Sequence, residues 1–230
     1  MASEIRFPVL VDTLPVLVSG VRSLSVRRNE TLEAIIVSKT APGFSRQTVE
    51  ALRRVVRELA AGRLGKVNFL VLDLAHEGFA LSTAEEGFDD LLAEIETLIL
   101  AAPVISIAAA RADLAGADLE LALACSMMVG REDVRFSFAA DLLVSIGAYA
   151  LLAQKLGFVR AERLMESGEI LDANQMRDLC LLKDVLETDG AAGIEAYLRK
   201  TARRHNAWCG VYRAQRVTSP AVHQTLRQAH

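Results

Sequence analysis

The chain carries 230 residues, 52% of them hydrophobic, which is enough apolar material for a substantial core in one large domain or two small ones and excludes a disordered chain. Charged residues make up 24% and the formal net charge is −3, so no basic surplus exists to neutralise a nucleic-acid backbone. The longest near-continuous apolar run, residues 98–110, is interrupted by Pro103 and Ser106 and falls short of the roughly 20 residues that span a bilayer, so neither nucleic acid nor a membrane is an expected partner.

Near the N-terminus, Pro8, Asp12 and Pro15 break up the apolar residues, and no secretory h-region is read there. Residues 32–38 read as a strand. Pro42-Gly43 then turns the chain, and Ser45 is placed to N-cap a helix running to about residue 61. On that helix Val49, Leu52, Val55, Val56 and Leu59 share one side, with Arg53, Arg54 and Arg57 largely on the other, an exposed face that could meet phosphates. Gly62 and Gly65 end it. Residues 67–73 form a near-continuous apolar run, as expected of a strand covered on both faces. Ser82 or Thr83 is expected to cap the next helix, to about residue 101, because Glu85 and Glu86 lie three residues on.

Pro103 opens a second buried strand, residues 104–110. A small-residue loop, 111–118, then enters an Ala/Leu-rich helix over 119–124, with Asp118 as its default N-cap. A further strand is read over 126–129, and helices over 147–156, 160–166, 173–180 and 193–204. Short Val/Ile-rich runs alternating with helical segments predict an α/β domain. The core domain is placed at residues 1–205 and a short helical tail at 206–230.

Cys125, Cys180 and Cys209 are odd in number and widely spaced, against a disulfide framework and against a CxxC metal site; a reducing cytoplasm is the expected location. His76, His205, His223 and His230 are scattered without ligand spacing, so no metal is expected. Neither a dinucleotide fingerprint nor a P-loop string is present, and no G-x-S-x-G nucleophile elbow.

The stretch Pro103-Val104-Ile105, Gly116, the run from Glu120 to Cys125 (Glu-Leu-Ala-Leu-Ala-Cys) and Glu132-Asp133-Val134-Arg135-Phe136 resembles, in order and spacing, the crotonase (enoyl-CoA hydratase/isomerase) superfamily. Gly147-Ala148-Tyr149, residues 161–168 and Leu171-Asp172-Ala173 resemble its branch that makes diffusible signal factors, cis-2-unsaturated fatty acids. The resemblance spans residues 30–218 and implies a spiral of ββα units with C-terminal helices, the strands in two roughly perpendicular sheets, and a homotrimer or hexamer. It also implies an acyl-CoA thioester as substrate, with coenzyme A entering as part of that substrate and no separate cofactor.

By that resemblance the backbone N–H groups of Ala80 and Ala117 are the oxyanion donors, the second at the mouth of a helix whose dipole assists. Gly116, Leu81 and Tyr149 fall at substrate-binding positions, Tyr149 either lining the acyl pocket or packing in the core. Glu120 matches the first of the family's two catalytic carboxylates. The second normally sits where this chain has Ala139-Ala140, and Asp141 next to them is the candidate substitute. Two further departures stand out. Gly116-Ala117-Asp118 replaces three glycines, and the chain after Ser219-Pro220 is shorter than in the family.

Each position has a plainer reading. Glu120 can be a solvated first-turn carboxylate, Asp141 a loop or cap residue, His76 an exposed histidine and Cys125 a small buried apolar residue. Two functions of different class follow: an enzyme of acyl thioesters (lyase, isomerase or thioesterase, in unsaturated fatty-acid signal synthesis), or a catalytically silent relative that binds an acyl-CoA or a protein.

Overall fold

The computed structural model describes residues 14–76, 86–139, 147–188 and 190–203, together with Val211. A short helix, α1 (Leu14–Leu17), precedes the hairpin of β1 (Leu24–Asn29) and β2 (Ala34–Lys39). Helix α2 (Arg46–Ala60) follows, then β3 (Phe69–Leu74), α3 (Phe88–Ala101), β4 (Ile105–Ala110), α4 (Gly116–Ala124) and β5 (Met127–Gly130). The rest comprises β6 (Arg135–Ser137), α5 (Gly147–Leu156), α6 (Phe158–Ser167), β7 (Ile170–Asp172), α7 (Ala173–Asp178), β8 (Asp184–Val185) and α8 (Gly190–Ala202).

The strands divide into two sheets. The larger has six strands in the order β1-β2-β3-β4-β5-β8, antiparallel only between β1 and β2; β6 and β7 pair antiparallel in the smaller. A doubly wound domain reverses its strand order at a switch point, whereas this order rises without reversal, so each strand-helix unit adds to the same edge. The α/β expectation and the division of the strands into two sheets both hold.

Alternation along the strands sorts the two faces. Ile35, Val37, Leu70, Leu72, Ala108 and Ala110 turn to the main core, which the helices α2 to α5 complete. Ile36, Val71, Ile107 and Ala109 turn to a second core closed by Ile194, Tyr197 and Leu198 of α8. Both faces of the central strands are covered, which explains why they read as unbroken apolar runs.

Most sequence-derived elements fall within a few residues of their observed bounds. Ser45 caps α2 as expected, its hydroxyl accepting a hydrogen bond from the Thr48 amide at 3.2 Å. The arginine face of α2 is spent within the molecule. Arg53 and Arg57 both bind Glu94 on α3, and Arg54 donates to the Leu17 carbonyl at 3.0 Å. Helix α3 begins later than expected: its N-cap is Gly87, in the left-handed region at φ 74°, rather than Ser82 or Thr83, which lie outside the described residues. Helix α4 begins three residues early, and its N-cap is Ala115 rather than Asp118. The brief strands β7 and β8 carry too few residues for any hydrophobic period and were not read from the sequence.

Candidate functional site

The loop that enters α4 is held rigidly. The Asp113 carboxylate accepts hydrogen bonds from the Arg135 amide (2.9 Å) and from its guanidinium (2.9 and 2.6 Å), while the Leu114 amide donates to the Arg135 carbonyl and the Leu114 carbonyl accepts from the Ser137 amide, both at 2.9 Å, a parallel bridge opposite Phe136. The first turn of α4 is thereby fixed against β6. At Gly116 the backbone turns left-handed, φ 54°, a conformation that strains any residue with a Cβ. The amides of Ala117 and Asp118 follow at the positive end of the helix, where no preceding turn supplies an intrahelical acceptor. Every residue of α4 is buried, Ala117 at 7% exposure and Glu120 at 0%.

Ala117 and Glu120 stand three residues apart and so share one face of the helix. An amide donor at the mouth of a helix and a buried carboxyl one turn further along it can do two jobs: hydrogen-bond a carbonyl oxygen as it gains charge, and accept a proton from the neighbouring carbon. The solvated reading of Glu120 is excluded by its burial. Tyr149, on α5, is half-buried, packed against the main core and 6.4 Å from the Phe158 ring between centroids. Ala80, Leu81 and Asp141 lie outside the described residues. His76 is exposed and Cys125 buried, both in the plainer of their two readings, and burial pushes the Cys125 thiol up to about 12.

Three buried charged residues were not singled out as site residues by the sequence, Lys39, Asp73 and Glu96, and a fourth, Asp118, is displaced from its expected role. Asp118 sits inside the first turn of α4. Its Oδ2 accepts a hydrogen bond from Nζ of Lys39, the last residue of β2, at 2.5 Å, and both side chains are 1% exposed. Lys39 also lies 5.0 Å over the ring of Phe44. The pair ties the end of a central strand to the donor end of α4. Burial pushes the Asp118 carboxyl up to about 6, with Lys39 opposing, and Oδ1 has no hydrogen-bond partner.

Glu96 occupies the buried stripe of α3 formed by Leu92, Ile95 and Ile99, and α3 packs on α4. It is 5% exposed and its Oε1 has no hydrogen-bond partner. Burial first, and the charge of Glu120 second, push its carboxyl up to about 8. The signals were in the sequence: a carboxylate four residues after Leu92 and three before Ile99, and a lysine in phase with Ile35 and Val37.

On the opposite face of the sheet a separate cluster closes the same strand ends. Asp73 accepts two bonds from Arg111, at 2.6 and 3.0 Å, and one from Ser38 at 2.8 Å. This bidentate clamp joins the ends of β2, β3 and β4 and faces away from α4.

No family model and no curated protein matches this sequence. Solved structures do match its fold. An enoyl-CoA hydratase/isomerase from Marinobacter aquaeolei superposes with a TM-score of 0.68 at 15% identity, covering 90% of this chain and 88% of its own. An enoyl-CoA hydratase from Mycobacterium avium subsp. paratuberculosis K-10 gives 0.69 at 19% identity, covering 89% and 90%. DspI of Pseudomonas aeruginosa gives 0.67 at 19% identity, covering 90% and 86%. The chain has the crotonase fold.

Proposed function

We propose that this chain processes acyl thioesters of coenzyme A, with Glu120 as proton acceptor and the Ala117 amide as one donor to the thioester oxygen. The observation that carries this reading is the construction of α4: a left-handed glycine, a buried first-turn amide and, on the same face, a carboxylate with no exposure, all within the crotonase fold. Polarising the carbonyl lowers the cost of removing a proton from the adjacent carbon, and the carboxylate receives it. Ala80 is the second donor and Gly116, Leu81 and Tyr149 border the substrate in this reading, with Asp141 the second carboxylate. The chemistry is that of a lyase or isomerase, with thioester hydrolysis as a variant, in a cytoplasmic trimer or hexamer. The finer assignment, to unsaturated fatty-acid signal synthesis, is supported by the stretches 147–149, 161–168 and 171–173.

A second reading, a silent acyl-CoA-binding relative, is favoured by one observation. Asp118 puts a buried carboxylate in the same turn as the oxyanion donor, where negative charge opposes a developing enolate unless Lys39 neutralises it. Calorimetric titration with coenzyme A and with medium- and long-chain acyl-CoA, followed by turnover of the ligands that bind, separates the two. Binding with turnover supports the enzyme, binding without turnover supports the silent relative, and no binding to any thioester removes both.

A further inference from the structure

We propose that Lys39 is a positioning residue for the thioester site: held between the Phe44 ring and Asp118, its ammonium fixes the first turn of α4 and cancels the carboxylate charge that Asp118 places beside the Ala117 donor. The proposal rests on the reading of the Ala117 amide as a donor to the thioester oxygen. It adds to that site a side chain from another element, 79 residues from Asp118 in the chain.

A first-turn carboxylate is an ordinary choice for a helix N-terminus, because it answers the partial positive charge of the free amides. Beside an oxyanion donor the same choice is a liability. Asp118 follows Ala117 directly, so its negative charge stands in the donor's own turn and repels the charge that develops on the oxygen held there. Burial raises the Asp118 carboxyl to about 6 while Lys39 opposes that rise, so the carboxyl is ionised around neutral pH.

The fold answers this charge from the sheet. Lys39 ends β2 and turns, in phase with Ile35 and Val37, into the main core rather than to solvent. Its Nζ donates to Asp118 Oδ2 at 2.5 Å, both side chains are 1% exposed, and the ammonium lies 5.0 Å over the Phe44 ring. Oδ1 of Asp118 is buried and has no hydrogen-bond partner among the described residues, which leaves Lys39 to balance the carboxylate. The first turn of α4 is thus gripped from two sides. Asp113 and Arg135 tie it to β6, and Lys39 ties it to β2 in the interior. The outer grip only holds the turn; the inner one also makes it neutral.

Hexanoyl-CoA labelled with carbon-13 at the thioester carbonyl tests this role, because hydrogen bonding to that oxygen lowers its infrared stretching frequency; deuterium exchange at the α carbon gives the rate. Lys39→Met is expected to keep KM within about threefold of wild type, to lose most of the frequency shift and to exchange roughly 10²-fold more slowly, the effect of one uncompensated charge in a protein interior. Lys39→Met/Asp118→Asn lacks the ammonium equally but carries no lone charge, and is expected to regain the frequency shift and a rate within about fivefold of wild type. A double variant as impaired as Lys39→Met overturns the proposal, as does a Lys39→Met protein with the wild-type rate and frequency. Should Lys39→Met fail to fold, the double variant decides alone: near-wild-type exchange upholds the neutral pair, and a loss of roughly tenfold or more overturns it. In a wild type that binds without exchange, loss of the frequency shift in Lys39→Met and its return in the double variant uphold the role, and an unchanged shift overturns it. Failure of the wild type to bind hexanoyl-CoA overturns the thioester reading and this role with it.

Discussion

Helix α4 buries two carboxylates two residues apart, and the protein treats them differently. Asp118, in the first turn, meets the ammonium of Lys39 from the end of β2; Glu120, on nearly the opposite side of the helix, adds its charge to burial in raising the carboxyl of Glu96 on α3. The Asp118 charge is answered by a fixed cation, while burial on α3 favours the neutral form of Glu96. A buried charge beside a cation is held in its ionised form more firmly than one without, because burial by itself favours the protonated carboxyl. In the proposed reading Asp118 serves architecture and Glu120 chemistry.

The largest break in this comparison comes from removing the cation. Lys39→Met leaves the Asp118 carboxylate buried and unpaired and is expected to cost roughly 3–5 kcal/mol in denaturant unfolding; the double variant Lys39→Met/Asp118→Leu should recover most of that loss. Equal losses in the single and double variants would show that the lysine acts through packing rather than charge.

The buried carboxyl of Glu96 predicts an effect of opposite sign. The folded-state pKa of Glu96, about 8, lies above its ordinary value of 4.5, so the native state holds the proton more tightly than the unfolded chain. Its contribution to stability is complete below about pH 4.5 and declines as pH rises to about 8. Glu96→Gln keeps the neutral shape at all pH. It should match wild type near pH 4.5 and exceed it above pH 8 by on the order of 2–4 kcal/mol, read from urea unfolding at each pH. Asp118, raised from 3.8 to about 6, adds a decline in the same direction over that lower window.

If Glu120 accepts the substrate proton, Glu120→Gln should slow exchange at the α carbon of hexanoyl-CoA by roughly 10²-fold, equivalent to about 2.7 kcal/mol of barrier. An unchanged rate with intact binding would dismiss Glu120 as the acceptor. The smallest effect belongs to a site remote from both carboxylates: Ser45→Ala removes the cap of α2 and should cost about 1 kcal/mol in thermal unfolding, with no change in the pH profile.

The neighbourhood of α4 shows where reading the sequence succeeds and where it stops. Buried strands, the Ser45 cap and the amphipathic face of α2 follow from local pattern, and Glu120 was found by its setting in the Glu-Leu-Ala-Leu-Ala-Cys run. Asp118 was misassigned because a carboxylate before a helix is a good cap. The backbone instead turns at Gly116, which advances the helix start and places Asp118 inside it, facing a lysine 79 residues away in the chain. Glu96 was not singled out. Only its phase with Leu92 and Ile99 marked it as buried, and phase alone does not reveal what lies across the interface.

By itself the sequence determined the α/β alternation, the two-sided burial of the central strands and the position of most helices, because each depends on spacing between near neighbours; the candidacy of Glu120 came from the resemblance to the crotonase superfamily. Tertiary structure decided the rest. It set which strand end meets which helix mouth, that Lys39 answers Asp118, that Asp113 and Arg135 anchor the first turn of α4, and that Glu96 is buried on a helix packed against α4. These are encounters between residues distant in the chain. Their electrostatic consequence arises only when folding removes water from between them, since a charge that costs little in solvent must, once buried, find a counter-charge or a proton.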